Sequence, residues 1–91
     1  MNDGRDLVVD GNAVAGLLDE MFGHDMTASP CQCAHCGAVG PVGTLLAFTQ
    51  APGVVLRCPG CEQVVLRMVQ TQEVIYLDAR GASYVRLPRR V

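Results

Sequence analysis

Two pairs of cysteines constrain this chain more than any other feature: Cys33-Ala-His-Cys36 and Cys58-Pro-Gly-Cys61, with 21 residues between the pairs. A C-x-x-C pair sets two sulfurs on one tight turn, so both reach the same ion at about 2.3 Å while nearby backbone amides point at the thiolates. Two such pairs at this separation describe a tetrahedral four-sulfur site. Local residues fit the turns. Gly37 follows the first pair and Gly60 lies inside the second, where positive φ is needed, and Pro59 fixes φ at the start of its turn. Cys33, Cys36, Cys58 and Cys61 are therefore read as the ligands of one zinc ion. Four thiolates close its coordination, which makes the site structural rather than hydrolytic.

Iron also suits four tetrahedral sulfurs, and a rubredoxin-like electron carrier uses two C-x-x-C turns with C-P-x-C in the second. The aromatic-rich core associated with such carriers is missing, since the chain has two Phe, two Tyr and no Trp. Pairing of the four cysteines as two disulfides is a weaker alternative for a chain expected in a reducing compartment. Cys31-Gln-Cys33 leaves open which of these two cysteines is the ligand; the C-x-x-C-G spacing favours Cys33. Cys31 then reads as a bystander or a neighbour of the ligands, because a redox role needs a depressed thiol pKa. His35 should point outward from its turn, and His24, with no partner in sequence, should lie on the surface.

At 91 residues the chain is expected to be one domain, near the size where a core alone gives modest stability. A zinc site worth on the order of 10 kcal/mol would be comparable to the whole stability of such a domain. The scarcity of aromatic residues means an aliphatic core. Met1 to Asp6 offers neither a basic start nor an apolar stretch, so no secretory signal is expected, and no apolar run reaches membrane-spanning length. A cytoplasmic location follows as the default.

Residues 1–9 read as frayed. Asp10-Gly11-Asn12 then supplies capping side chains ahead of Ala13, Val14, Leu17, Leu18, Met21 and Phe22, which form one apolar stripe at helical spacing. The pattern predicts a helix within residues 10–23, stopped by Gly23 and followed by a loop to Pro30. From Thr44 onward short runs of Val, Leu and Ile alternate with turn residues. They predict an antiparallel meander with strands near 44–49, 53–58, 62–69, 74–79 and 83–87. The echo of Val54-Val55-Leu56-Arg57 in Val64-Val65-Leu66-Arg67 is explained by two strands of one hairpin reusing the same β-formers.

Alternation places Val64, Leu66, Met68, Ile75, Leu77, Val85 and Leu87 on the expected core face, and Val65, Arg67, Val69, Val74, Tyr76, Asp78, Tyr84 and Arg86 on the other. Arg67, Tyr76 and Arg86 should lie side by side across three strands. With Tyr84 they form a candidate partner-binding surface, because Arg and Tyr are over-represented in binding hot spots. Single-stranded nucleic acid is the alternative ligand, with tyrosines stacking bases and arginines holding phosphates. The slightly acidic net charge of −2 counts against it. A third reading leaves no ligand at all, with the helix stripe packed on this face. Charge is uneven along the chain: residues 1–36 hold six acids and one arginine, residues 37–91 six arginines and three acids, and there is no lysine. No nucleophile–base constellation or phosphate loop is visible, so the chain does not read as an enzyme.

The stretches DGNAVAGLLDEMFGHDMT, CAHCGAVGP, APGVVLRCPGCEQVVLRMV and YLDARGASYVRL resemble an uncharacterised family of short actinobacterial zinc-ribbon proteins, over Asp10 to Leu87. The resemblance implies a bacterial cytoplasmic protein with a zinc-ribbon core and carries no activity with it. Glu62 stands where a glycine often follows the second knuckle. Together these readings predict a small metal-stabilised zinc ribbon with an N-terminal helix and a C-terminal β-hairpin extension, acting as a non-catalytic adaptor or regulatory protein-binding module.

Overall fold

The computed structural model describes residues 8–23, 25–50 and 53–89. Among these described residues, eight strands run in chain order: β1 (Val8–Asp10), β2 (Pro30–Cys33), β3 (Val39–Pro41), β4 (Leu46–Gln50), β5 (Gly53–Arg57), β6 (Val64–Gln70), β7 (Ile75–Asp78) and β8 (Ala82–Val85). They form a five-stranded sheet in the order β1-β4-β5-β6-β7 and a three-stranded sheet in the order β3-β2-β8. Every pairing is antiparallel.

The predicted helix is present but begins more tightly than its pattern implies. Gly11–Val14 form a 3-10 turn, and the α-helix α1 follows at Ala15–Phe22. Asp10 caps the turn by accepting from the Asn12 N–H at 3.1 Å, which satisfies an otherwise orphaned amide. Gly23 ends the helix in a left-handed conformation, φ 81°, with its N–H donating to the Asp19 carbonyl. Leu18 is fully buried, and Leu17, Met21 and Phe22 pack against the same core. That core holds Ala47, Leu56, Leu66 and Met68 from one face of the larger sheet, together with Met26, Val42 and Leu45. No aromatic side chain is among the buried residues, in line with the aliphatic core expected from composition.

The VVLR echo does lie in paired strands: Leu56 opposes Leu66 and Val55 opposes Arg67 across β5 and β6. The predicted meander holds through β7 and then fails. β8 leaves the sheet and pairs with β2, placing Cys31 opposite Val85 and Gln32 opposite Tyr84. The cause is the connection Ala79-Arg80-Gly81. The Asp78 carboxylate accepts from the Arg80 amide and guanidinium and turns the chain, and the Arg80 side chain beside it holds the Asp78 carboxyl far below its ordinary range. Gly81 then backs onto the Val64 carbonyl so closely that no Cβ would fit, while its own carbonyl accepts from the Ala34 N–H at 2.8 Å.

Three short strands escaped the sequence pattern. β1 lies partly in the stretch read as frayed, of which residues 1–7 fall outside the described residues. β2 and β3 flank the first cysteine turn, where runs of four and three residues are too short to show alternation. The predicted faces need correction as well. Val65 is buried rather than presented to a partner, because the register shifts between Leu56 and Arg57 and the Gly81 backbone closes over Val64 and Val65. Leu77 and Leu87, expected in the core, are 41% and 52% exposed, since one lies on the edge strand and the other beyond the end of β8.

Candidate metal centre

The two cysteine turns are built alike from the backbone upward. In the first, the Cys33 N–H donates to Ala38 O, the Gly37 N–H to Cys33 O at 2.9 Å, and the His35 N–H to Cys33 Sγ at 3.4 Å. The second repeats each bond at the matching position: Cys58 N–H to Gln63 O, Glu62 N–H to Cys58 O at 2.7 Å, and Gly60 N–H to Cys58 Sγ at 3.3 Å. Gly37 and Glu62 occupy the same left-handed position, with φ of 80° and 67°, whereas Gly60, expected at positive φ, does not adopt it. The absence of glycine at the second turn has therefore not changed its geometry.

Each turn also has a brace that sequence reasoning missed. The residue before the first cysteine of each pair reaches across the turn: Gln32 Nε2 donates to Gly37 O at 3.0 Å, and Arg57 Nη1 to Glu62 O at 2.8 Å. The available signal was a long donor side chain immediately ahead of both knuckles. Arg57 also lies over the Phe48 ring, 5.5 Å from its centroid.

The turns face one another and bring the sulfurs of Cys33, Cys36, Cys58 and Cys61 within 4.8 Å of each other. Cys33 Sγ lies 3.7 Å from Cys61 Sγ, and Cys36 Sγ 3.7 Å from Cys58 Sγ. Four ligands at about 2.3 Å around a tetrahedral ion are roughly 3.8 Å apart, which these two separations match. All five cysteines are free thiols in this arrangement, which leaves no support for the two-disulfide alternative.

The electrostatics of the cage call for a cation. Amides of Cys61 and Gly60 hold the Cys58 thiol down at about 7 against the opposing effect of burial. Burial also opposes ionisation of Cys33, but the amides of Cys36 and His35 outweigh it and the net shift is downward. Cys61 behaves oppositely: the Gln63 amide favours its thiolate, yet burial and the three neighbouring sulfurs push it up to about 12. Sulfurs this close ionise together only around a positive charge.

Cys31 is not part of the cluster. It is buried two positions before Cys33 on β2, and burial, then the neighbouring Cys58 and Cys33, push its thiol up. With Cys33, Cys58, Leu45 and Pro59 it lines a small hollow of about 100 Å³. His35 is exposed, and His24 lies outside the described residues.

The predicted partner-binding residues do not form one row. Arg67 opposes Asp78, and Tyr76 opposes Val69, both on the sheet face away from the helix. Tyr84 and Arg86 go with the other sheet, where Tyr84 opposes Gln32 and the Arg86 N–H donates to Pro30 O. Arg67 and Tyr76 instead find neighbours the sequence did not point to. The register sets Phe48, Val55 and Arg67 across one line, and Gly53, Val69 and Tyr76 across the next. Because Gly53 has no side chain, a shallow hollow of about 280 Å³ opens among Phe48, Val55, Val69 and Arg67.

Fold and site together define a small, mainly antiparallel β protein with one short helix near its N-terminus and a four-cysteine cluster that can hold a metal ion. The chain belongs to the family of unknown function DUF6510, which it matches over residues 3–90. No curated protein and no solved structure matches it. Among the described residues, no helix is long and apolar enough to cross a membrane.

Proposed function

We propose that this protein is a non-catalytic, cytoplasmic binding module of the zinc-ribbon kind, stapled by one structural zinc ion on Cys33, Cys36, Cys58 and Cys61. It acts as an adaptor or regulatory subunit through the sheet face opposite the helix. The observation that carries the reading is the closed four-sulfur cage, which leaves a bound metal no vacant position for a substrate and so moves function to the surface. Of the surfaces, the face with Tyr76 63% exposed, and with Arg67 on the rim of a mainly apolar hollow lined by Phe48, Val55 and Val69, has the make-up of a protein-binding site.

Native mass spectrometry of protein purified without chelator tests the metal: one zinc per chain supports the reading, and one iron makes electron transfer the leading function. For the surface, a partner that co-purifies with the wild type should be lost with Arg67→Ala or Tyr76→Ala while the zinc stays. Retention of the partner by both variants rejects this face.

A second reading has a specific observation in its favour. Arg57 stacked on Phe48, with Arg67 and Tyr76 on the same face, is also a platform for single-stranded nucleic acid, and the acids Asp19 and Glu20 lie on the helix behind the opposite face. Bound RNA would show as a raised ratio of absorbance at the nucleic-acid and protein maxima, falling in Tyr76→Ala.

A further inference from the structure

The two cysteine turns differ in one respect that their matching backbone conceals. The neutral Gln32 braces the first, whereas the second is braced by Arg57, whose guanidinium makes another contact outside the turn. Arg57 Nη1 donates to Glu62 O at 2.8 Å, and Arg57 Cζ lies 5.5 Å from the centroid of the Phe48 ring. Among the described residues no carboxylate pairs with Arg57, so the carbonyl and the ring are what hold it.

The register explains how one side chain reaches both. Arg57 opposes Leu46 on β4, and Phe48 stands two residues further along β4 on the same face, within diagonal reach of a long side chain. On the β6 side the ladder shifts between Leu56 and Arg57, which ends regular pairing where the strand enters the turn. β5 stops at Arg57 and Cys58 follows directly. A guanidinium fixed over the ring is therefore fixed one residue ahead of a cage cysteine.

The brace acts where the second turn has most to lose. Glu62 holds a left-handed backbone without the freedom that glycine gives Gly37 in the first turn. Its carbonyl accepts from Arg57 while its N–H donates to Cys58 O, so the peptide units on both sides of Glu62 are tied. Phe48 in turn lines the outer-face hollow with Val55, Val69 and Arg67. One end of this chain of contacts lies on the open face of the sheet and the other in the cage.

We propose that Phe48 and Arg57 form a relay between the outer face and the metal cage: the stack positions the brace, the brace holds the second turn, and the turn sets how fast the ion is released. Arg57 is the positioning residue. An anionic group bound on the face that draws the guanidinium off Glu62 O loosens the cage, and by linkage a loaded cage keeps Arg57 over the ring. The inference rests on the reading of the four cysteines as a metal site, and on neither the identity of the metal nor the proposed partner.

The test is metal release from the loaded protein, followed as the first-order rate of transfer to a chromophoric chelator in excess. Phe48→Leu leaves every cysteine and both braces in place, and should release the ion about two- to fivefold faster, the size of an exposed cation–π contact. Arg57→Ala should release it faster still, and adding Phe48→Leu to that variant should change nothing more. Arg57→Gln copies the brace of the first turn without the stack, so its rate should fall between those of the wild type and Arg57→Ala. A Phe48→Leu rate equal to the wild type, or a Phe48→Leu effect that persists undiminished in Arg57→Ala, overturns the relay and leaves the metal site standing. A protein that carries no metal to release overturns the metal reading and the relay with it. Should Phe48→Leu lose the native amide spectrum, Arg57→Gln decides: an intermediate rate upholds the relay, and any other rate overturns it.

Discussion

At the scale of single residues, Glu62 is the position where sequence and geometry disagree most openly. A left-handed backbone costs a residue with a Cβ about 1–2 kcal/mol relative to glycine, and the equivalent position in the first turn is Gly37. The turn holds because the Glu62 carbonyl accepts from Arg57 and its amide donates to Cys58 O. Glu62→Gly is predicted to raise the stability of the metal-loaded protein by about 1 kcal/mol, read from the denaturant midpoint at unchanged slope. A midpoint that stays put or falls would mean that the lost side chain matters more than the relieved backbone. The clustering of Cys33, Cys36, Cys58 and Cys61 was legible in the sequence because C-x-x-C spacing reflects a local turn, and each turn formed as its spacing implied. The braces from Gln32 and Arg57 left only a faint signal, a long donor ahead of each knuckle, which does not by itself distinguish a hydrogen bond to a carbonyl five residues on from ordinary solvent exposure.

At the scale of elements, helix α1 and strands β4 to β7 followed from hydrophobic period and turn residues, because these elements bury enough apolar surface to leave a pattern. β2 and β3 left none: they pair with each other across the first cysteine turn over too few residues to alternate, and the partnership of β2 with β8 on its other side is a long-range contact with no local signature. The destination of β8 is set at Gly81, whose backbone lies against Val64 while its carbonyl takes the Ala34 amide. Gly81→Ala therefore has to push the crossover off β6. Overpacking of this kind costs about 1–3 kcal/mol, and here it should fall unequally. Amide exchange should quicken in β2 and β8 while the β4–β5–β6 ladder keeps its protection. Uniform loss, or no change, would show that the crossover does not hold β8 in place.

At the scale of the whole molecule, the metal site joins what the hydrogen-bond ladders leave separate. Cys33 ends β2 in the smaller sheet, whereas Cys58 directly follows β5 in the larger one. An ion bound by both turns is thus a cross-link between sheets. Were that ion the structural zinc proposed above, worth on the order of 10 kcal/mol, its removal would take away as much as the whole stability of a small domain. Treatment with a chelator, or Cys58→Ser, is predicted to abolish cooperative unfolding of the protein. Acid should act the same way, because each thiolate must be kept deprotonated to hold the ion, so affinity falls as pH falls. A metal-free protein with a native-like amide spectrum would reject the staple and leave the packed core around Leu18 and Leu56 as sufficient.

The partnership of β2 with β8 also bears on how the chain is made. Synthesis runs from the N-terminus, so the four cysteines of the cage leave the ribosome before Ala82–Val85. The nascent chain can close its cage while one side of β2 is still bare, and the closing strand is added afterwards. A product truncated after Asp78 would keep every cysteine of the cage and expose an open strand edge, which marks it for chaperones or proteases. Placing the closing strand after both knuckles puts assembly of the cage ahead of closure of the smaller sheet.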